Sequence, residues 1–144
     1  MSDFELDAAT PAEIYEHVAV IDKEDFDELM SEPEARSRVI DAMVEHMASL
    51  FRPEKAKGVE AVIHIKLWDR PGGGYDHAEL RIADGECVVQ EPSGEPDLTL
   101  KVRPGDLRKM ITGESGARRL AIKGRLRAVG DIGLGLKLPD MFAF

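Results

Sequence analysis

Residues 121–144 read AIKGRLRAVGDIGLGLKLPDMFAF, and this C-terminal stretch decides the fold that the rest of the chain supports. Its first part alternates, with Ile122, Gly124, Leu126 and Ala128 on one side and cations on the other, which predicts a β-strand. After Gly130-Asp131 the apolar residues are Ile132, Leu134, Leu136, Leu138, Met141 and Phe142. A tail this apolar is not expected to face water. We therefore predict that it closes an apolar cavity over a β-sheet.

Upstream of this stretch, the apolar spacing predicts helices first and strands afterwards. Thr10-Pro11-Ala12-Glu13 has the form of a capping box that begins a helix, and the apolar face of residues 35–51 makes the strongest helical pattern in the chain. The other predicted elements are a helix over 23–30, strands over 59–68, 75–83, 86–90 and 98–103, a helix over 104–112 and a helical turn over 116–120. This order predicts an α+β fold, a sheet with helices gathered on one face.

The firmest local prediction is the hairpin around Pro71-Gly72-Gly73-Gly74. Centring the hairpin on this turn pairs Ile63 with Leu80 and His64 with Glu79, so that apolar residues oppose each other on one face and polar residues on the other. Asp84-Gly85 then predicts a second, two-residue hairpin turn.

Composition limits the class of protein. A chain of 144 residues with 43% hydrophobic and 33% charged residues is typical of one globular domain. It has no apolar run long enough for a membrane span and no secretory signal at its N-terminus, so a cytoplasmic protein is expected. The single cysteine, Cys87, excludes an internal disulfide and is expected to be a buried, inert residue.

The net charge of −9 is unevenly distributed along the sequence. Residues 1–34 contain twelve acidic residues against one lysine, whereas the rest of the chain is slightly basic. Nucleic acid is therefore not an expected partner, because phosphate binding needs a basic footprint. By the same count, an anionic membrane is expected to repel the first segment and to attract the remainder weakly.

No motif in the sequence predicts a cofactor or a metal. Gly130–Gly135 has the reverse of the dinucleotide-binding spacing and no second βαβ half. His64, His77 and Glu79 fall on the outward face of the predicted hairpin, where solvated cross-strand pairing is expected, and diagonal neighbours there lie too far apart to share a zinc ion. His17 and His46 are expected at the surface. The methionines on the apolar helix faces fit either an ordinary core or a cavity lined by adaptable side chains.

The same pieces, taken in order, resemble the sterol carrier protein 2 sterol-binding domain family. They are the apolar helix Val39–Phe51, the hairpin ending in Asp84-Gly85, Pro96–Leu100, the helix closing on Thr112-Gly113, and Ile122–Leu126 with Gly130-Asp131 and the apolar tail. The resemblance covers residues 34–144. It leaves residues 1–33 as an acidic helical extension and favours a free-standing prokaryotic member of the family.

The resemblance implies a five-stranded, mainly antiparallel sheet covered on one face by helices, with an apolar tunnel between the two layers that takes sterols, fatty acids or fatty acyl chains. The residues predicted to line this tunnel are Met43, Met47, Leu50, Phe51, Ile63, Ile65, Leu80, Ile82, Leu107, Met110, Leu126, Leu134, Leu138, Met141 and Phe142. The loop after the first core helix is implied to lie near the ligand head group, which makes Arg52 and Lys55 the head-group candidates.

Three functions follow from these patterns. The favoured hypothesis is a non-enzymatic lipid carrier with a transient membrane or enzyme partner. An accessory protein in a complex that makes hydrophobic metabolites is the alternative. A small isomerase or hydrolase would need a carboxylate, Asp131 or Asp140, that points into an apolar pocket.

Overall fold

The computed structural model describes residues 4–144, so the first three residues of the predicted extension lie outside it. The helices are α1 (Pro11–Val18), α2 (Lys23–Met30), α3 (Pro33–Ser49), α4 (Pro104–Ile111), α5 (Ala117–Ile122) and α6 (Ile132–Lys137). The strands are β1 (Ala61–Leu67), β2 (Asp76–Ala83), β3 (Glu86–Gln90), β4 (Leu98–Val102) and β5 (Leu126–Gly130). Short 3-10 turns cover Leu6–Ala8, Pro53–Lys55 and Leu138–Asp140. Among the helices of these described residues, none has both the length and the hydrophobicity to span a bilayer.

The five strands form one sheet in the order β3-β2-β1-β4-β5. Neighbouring strands are antiparallel except β1 and β4, which run parallel because the chain crosses over between β3 and β4. The predicted hairpin register is confirmed, with Ile63 opposite Leu80 and His64 opposite Glu79. The predicted fold class, a mainly antiparallel five-stranded sheet with helices, is therefore confirmed.

The core lies between the sheet and the helix α3. Alternate residues of β1, such as Ile63 and Ile65, are buried against the apolar face of α3, where Met43 and Met47 have no exposed surface. Burial of this kind is the main favourable term in folding, at about 25 cal/mol per Å² of apolar surface.

The first two helices pack against the main body of the protein. Thr10 caps α1 by accepting from the Glu13 N–H, while the Glu13 carboxylate accepts from the Thr10 N–H, so the predicted capping box is confirmed. Arg108 of α4 donates to the carbonyl oxygens of Val18 and Ile21 and lies 4.2 Å from the centre of the Phe26 ring. The division of the chain at residues 33 and 34 stays a prediction.

The last strand begins later than the sequence pattern indicates. Ile122 ends the helix α5 and is 86% exposed, and the turn at Gly124 precedes β5. The prediction that Ile122 is an inward strand residue was wrong, because α5 continues past its predicted end at residue 120. Leu126, by contrast, is buried and opposes Val102, as an inward strand residue should.

Asp97 joins three parts of the sheet next to the C-terminal segment. Its carboxylate accepts from the Val62 N–H at 2.8 Å, and its main-chain oxygen accepts from the Asp131 N–H at 2.8 Å. A Cβ atom at Gly130 would lie 2.5 Å from that same oxygen, and Gly130 has a φ of 119°. Glycine is therefore required at position 130, where β5 ends and the C-terminal segment begins.

Candidate functional site

The residues after Asp131 form the C-terminal cover, defined here as residues 132–144. Asp131 begins it by accepting from the Leu134 N–H at 3.0 Å, which caps α6. Leu134, Leu138, Met141 and Phe142 are buried, and Gly135 approaches Leu98 and Ala128 on the helix side of the sheet. The cover therefore packs over one end of the core, and the apolar cavity that it is predicted to close stays a prediction.

Two residues of the cover do not follow the prediction. Ile132 is 64% exposed and Leu136 is 69% exposed. They lie four residues apart on α6 and so share its outer side, whereas Leu134 and Leu138 lie on the inner side. The alternating apolar residues of the tail cannot all point inward, because this segment is helical and a helix has a period of 3.6 residues.

The cover is joined directly to the loop that follows α3. The Arg52 N–H donates to the Met141 carbonyl oxygen at 2.8 Å, and the Ala143 N–H donates to the Leu50 carbonyl oxygen at 2.8 Å. Between these two hydrogen bonds, Phe51 and Phe142 form an antiparallel bridge, and their rings meet edge to face with centroids 5.7 Å apart. Any movement of the cover must therefore also move the loop that carries Arg52.

Thirteen of the fifteen residues predicted to line a tunnel are fully buried, and Leu50 and Phe51 are half-buried. All of them belong to, or pack against, one continuous hydrophobic core. Within residues 4–144 these side chains are packed against one another and no tunnel between sheet and helices is shown, so their role as a ligand lining stays a prediction.

Two grooves open at the surface near the loops. One of about 320 Å³ lies between the α3–β1 loop and α6 and is lined by Val59, Leu134 and Lys137, among others. Another of about 820 Å³ lies between α2, α4 and the β1–β2 turn, with Phe26 and Met30 at its base. None of the predicted lining residues borders the second groove. The first groove also includes Lys137, a cation of the tail that is not among the residues predicted for the site.

The two head-group candidates are placed differently. Arg52 is half-exposed, and its Nε lies 3.3 Å from Oε1 of Glu54. Lys55 is exposed on the 3-10 turn that follows. A ligand carboxylate at this loop would compete with Glu54 for the Arg52 guanidinium.

A buried polar cluster lies on the other face of the sheet. Glu79 has no exposed surface and accepts from His64 Nε2 at 3.0 Å, from the Ser93 N–H at 3.0 Å and from the Gln90 side chain. His64 is 5% exposed, and its Nδ1 lies 2.9 Å from Nε2 of His77. The expectation of solvated cross-strand pairing was wrong for His64 and Glu79, which are buried, whereas His77 is exposed.

The electrostatics of this cluster favour an ionised Glu79 carboxylate and a neutral His77 imidazole. Burial raises the pKa of Glu79, but the hydrogen bonds from Ser93, Gln90 and His64 outweigh it and hold the pKa below its usual value. Burial, together with the nearby His64 and Lys66, lowers the pKa of His77. The ring nitrogens of His64 and His77 also lie closer than the strand spacing suggested, yet the described residues contain no group of three or more ligands arranged to hold a metal ion.

The two carboxylates considered for catalysis point away from the core. Asp131 is exposed and caps α6, and the side chain of Asp140 is 70% exposed beside Arg118. The isomerase hypothesis required one of them to enter an apolar pocket, so it is wrong for both residues. Cys87 is half-buried, and burial raises the pKa of its thiol to about 12, as expected of an unreactive cysteine.

Comparison with known proteins places this architecture in a family. The hydroxysteroid dehydrogenase-like protein 2 of Xenopus tropicalis is 30% identical over 93 residues, which are 65% of this chain and 22% of the frog protein. This chain therefore spans less than a quarter of the length of that curated relative.

Two solved structures share the fold. The sec-alkylsulfatase Pisa1 from Pseudomonas sp. has a TM-score of 0.60 at 14% identity, over 72% of this chain and 16% of that one. Palmitated SCP2L2 from Aedes aegypti has a TM-score of 0.58 at 15% identity, over 71% of this chain and 92% of that one. A model of the SCP-2 sterol transfer family matches residues 41–143, which is more than half of the sequence. This chain belongs to the SCP-2 sterol transfer family.

Proposed function

We propose that this chain is a non-enzymatic lipid carrier that holds one sterol, fatty acid, fatty acyl-CoA or similar elongated apolar molecule beneath the C-terminal cover. Membership of the SCP-2 sterol transfer family supports a sterol or lipid transfer domain. The mosquito protein of the same fold is known in a palmitated form. A cytoplasmic location stays a prediction.

The observation that carries the proposal is the attachment of the cover. Its outer end is held by the two main-chain hydrogen bonds to Leu50 and Arg52 and by the contact between Phe51 and Phe142. Its helix, α6, has six residues and contains Gly133 and Gly135, which weaken a helix by about 1 kcal/mol each relative to alanine. Opening the cover would expose Leu134, Leu138, Met141 and Phe142, so an apolar guest must replace their contacts, while the sheet beneath the cover keeps its hydrogen bonds.

The core beneath the cover can adapt to a guest. Met43, Met47 and Met110 are buried in this core and Met141 is buried in the cover itself, and unbranched thioether side chains change rotamer easily. Each methylene group of a ligand that enters contributes about 0.8 kcal/mol, before ordering costs are subtracted. The ligand head group would remain at the surface, beside the loop that carries Arg52 and Lys55.

Methionine-methyl NMR with palmitate tests the proposal. The protein is labelled at the methionine methyl groups and titrated with palmitate, while native mass spectrometry counts the bound molecules. We expect one palmitate per chain and shifted signals from Met43, Met47, Met110 and Met141. Met30 is the internal control, because it lies at the 820 Å³ groove between α2 and α4 and not in the predicted lining.

Two outcomes would contradict the proposal. A chain that binds neither palmitate nor a sterol probe is not a lipid carrier. A shift confined to Met30 would place the ligand in the groove between α2 and α4, and the predicted lining would then be wrong.

The relatives favour one alternative function. In the frog protein and in the alkylsulfatase, the matching region is only part of a much longer chain. The protein would then be an accessory partner that presents a hydrophobic intermediate to a separate enzyme. Stoichiometric co-purification with one enzyme, together with a change in that enzyme's KM for an apolar substrate, would favour this function.

A further inference from the structure

The outer face of the sheet, the side away from α3, carries a row of cations that folding does not require. The strand register sets Lys66 opposite Lys101, and Lys101 opposite Arg127, across β1, β4 and β5. Like charges directly opposite each other destabilise a sheet. Within residues 4–144 none of these three cations forms an ion pair. A row of this kind therefore needs an explanation outside the folded chain.

Two aromatic side chains border the row. Trp68 is 38% exposed, and its ring meets that of Tyr75 edge to face with centroids 5.6 Å apart. The Lys66 Nζ lies 4.6 Å from the centre of the Tyr75 ring, and the Lys101 Nζ lies 5.9 Å from the centre of the Trp68 ring. We call these five residues the basic strip. Tryptophan and tyrosine beside lysine are the residues enriched where proteins meet the headgroup level of a membrane.

A groove of about 230 Å³ lies beside Trp68 and concentrates the positive charge. Lys101, Arg103, Arg125 and Arg127 line it, against the single carboxylate of Asp69. Asp69 is already paired with the Arg103 Nε at 2.6 Å. The groove therefore keeps an excess of cations, and charge complementarity favours an anionic partner.

The acid-rich N-terminal segment packs on the helix side of the sheet. The helices α1 and α2, which belong to the acid-rich segment, pack against α3. The net charge of −9 thus hides a separation of charge between the two sides of the molecule. Charges farther away than a Debye length of about 8 Å at physiological salt are largely screened, so a surface that meets the basic strip is little affected by the extension.

We propose that the basic strip docks the protein on the surface of an anionic lipid bilayer. Lys66, Lys101 and Arg127 pair with lipid phosphates, and Trp68 enters the headgroup layer. A row of cations on a sheet face suits a flat, extended anionic surface, whereas sequence-specific nucleic-acid readout needs an element that enters a groove. The inference deepens the proposed carrier function by giving it a membrane partner, but its test does not require lipid uptake.

The test uses the intrinsic fluorescence of the protein, because Trp68 is its single tryptophan. The full chain is titrated with vesicles of phosphatidylcholine alone, and with vesicles containing 30 mol % phosphatidylglycerol, at low and at high salt. We expect a blue shift of Trp68 emission and co-flotation only with the anionic vesicles, both lost in 0.5 M salt. Near an anionic surface each cation contributes about 1 kcal/mol, so the double variant K101E/R127E should bind more than about tenfold more weakly.

The matched control is K109E/R119E, which makes the same change in net charge on the helices α4 and α5. It should bind the anionic vesicles within about twofold of the wild type. Equal weakening of the two variants would overturn the proposal, as would equal binding to phosphatidylcholine alone. Tighter binding to single-stranded RNA than to vesicles would also overturn it, as would self-association that K101E/R127E abolishes without any vesicle binding.

The two proposals fail separately. Palmitate uptake by K101E/R127E should equal that of the wild type, because the basic strip lies on the opposite face of the sheet from the cover. A wild-type protein that shows the Trp68 shift but takes up no palmitate would refute the carrier function and leave the docking surface standing.

Discussion

The Arg52 N–H donates to the Met141 carbonyl oxygen at 2.8 Å, and this hydrogen bond joins the loop after α3 to the C-terminal cover. The two segments lie almost ninety residues apart in the sequence, yet they form one unit with the neighbouring bond from Ala143 to Leu50. A cover that opens must therefore release the loop that holds the head-group candidates. Opening of the core and exposure of Arg52 are expected to be a single event.

Stiffening the cover should slow ligand exchange. In the double variant G133A/G135A each new methyl group lies no closer than 3.4 Å to its neighbours, so the folded state accepts both. Alanine favours the helix by about 1 kcal/mol per position, about 2 kcal/mol for the pair, so release of palmitate should slow by roughly thirtyfold if α6 must unfold first. Stopped-flow transfer of a fluorescent fatty acid to vesicles measures the rate. The control is Gly105→Ala on α4, which has open space around it and lies outside the cover; an unchanged rate in G133A/G135A would show that the cover does not open.

Gly130→Ala should destabilise the whole domain. The new methyl group would lie 2.5 Å from the Asp97 carbonyl oxygen, and alanine disfavours the φ of 119°. Backbone displacement at this position also strains the Asp131–Asp97 hydrogen bond, so we expect a loss of about 2–4 kcal/mol in the free energy of unfolding. Urea denaturation measures it. Gly105→Ala again serves as the control and should be neutral or stabilising, and a fully stable Gly130→Ala protein would contradict the close approach.

Arg108→Ala should loosen the first two helices without unfolding the sheet. The guanidinium donates to the carbonyl oxygens of Val18 and Ile21 and stacks over the Phe26 ring. Its loss leaves two main-chain acceptors without these donors, at about 1–3 kcal/mol. Hydrogen exchange should speed up over residues 11–30 and stay unchanged in β1. The exposed neighbour Lys109→Ala is the matched control, and equal protection in both variants would show that Arg108 does not hold the extension.

Stability should fall as the pH decreases below neutrality. Partial burial lowers the pKa of both His46 and His77 below the ordinary value of 6.5. Just below that pH, the unfolded chain therefore binds protons that the folded protein does not bind. The free energy of unfolding should therefore be constant above about pH 7 and decline from about pH 6.5 downward. The pKa of Glu79 is also held below its usual 4.5, so its stabilisation is present above that pH and is lost as the pH falls below it.

Urea denaturation at a series of pH values between 8 and 4 measures this dependence. His46→Gln removes one of the two imidazoles and should flatten the decline between pH 6.5 and 5. His46 is half-buried and stacks on the Tyr15 ring with centroids 3.6 Å apart. A stability that does not change between pH 8 and 5 would contradict the lowered pKa of both imidazoles.

Local patterns predicted the elements that depend on local physics. The hairpin register follows from the turn at Pro71–Gly74 and from the period of two, and the structure confirms it pair by pair. The capping box at Thr10 and the helix Lys23–Met30 also agree with the sequence. Predictions of exposure were wrong for residues whose burial depends on a second, distant element of the fold. The helical pattern of α3 predicts Arg36 on its polar face, yet Arg36 is 2% exposed and donates to Asp76 and to the Trp68 carbonyl oxygen, because the β1–β2 turn folds over it.

By itself, the sequence determined most of the secondary structure and the order of strands and helices, since these depend on short-range periodicity and on the turns along the chain. The resemblance to the family rests on the same pieces in that order. Only the tertiary structure decided that Glu79 and His64 are buried, that the cover is bonded to Arg52, and that Lys66, Lys101 and Arg127 stand in one row on a face without helices. The physical reason is that burial and charge density are properties of surfaces. They depend on which distant segments become neighbours, and the net charge of a sequence segment does not record that arrangement.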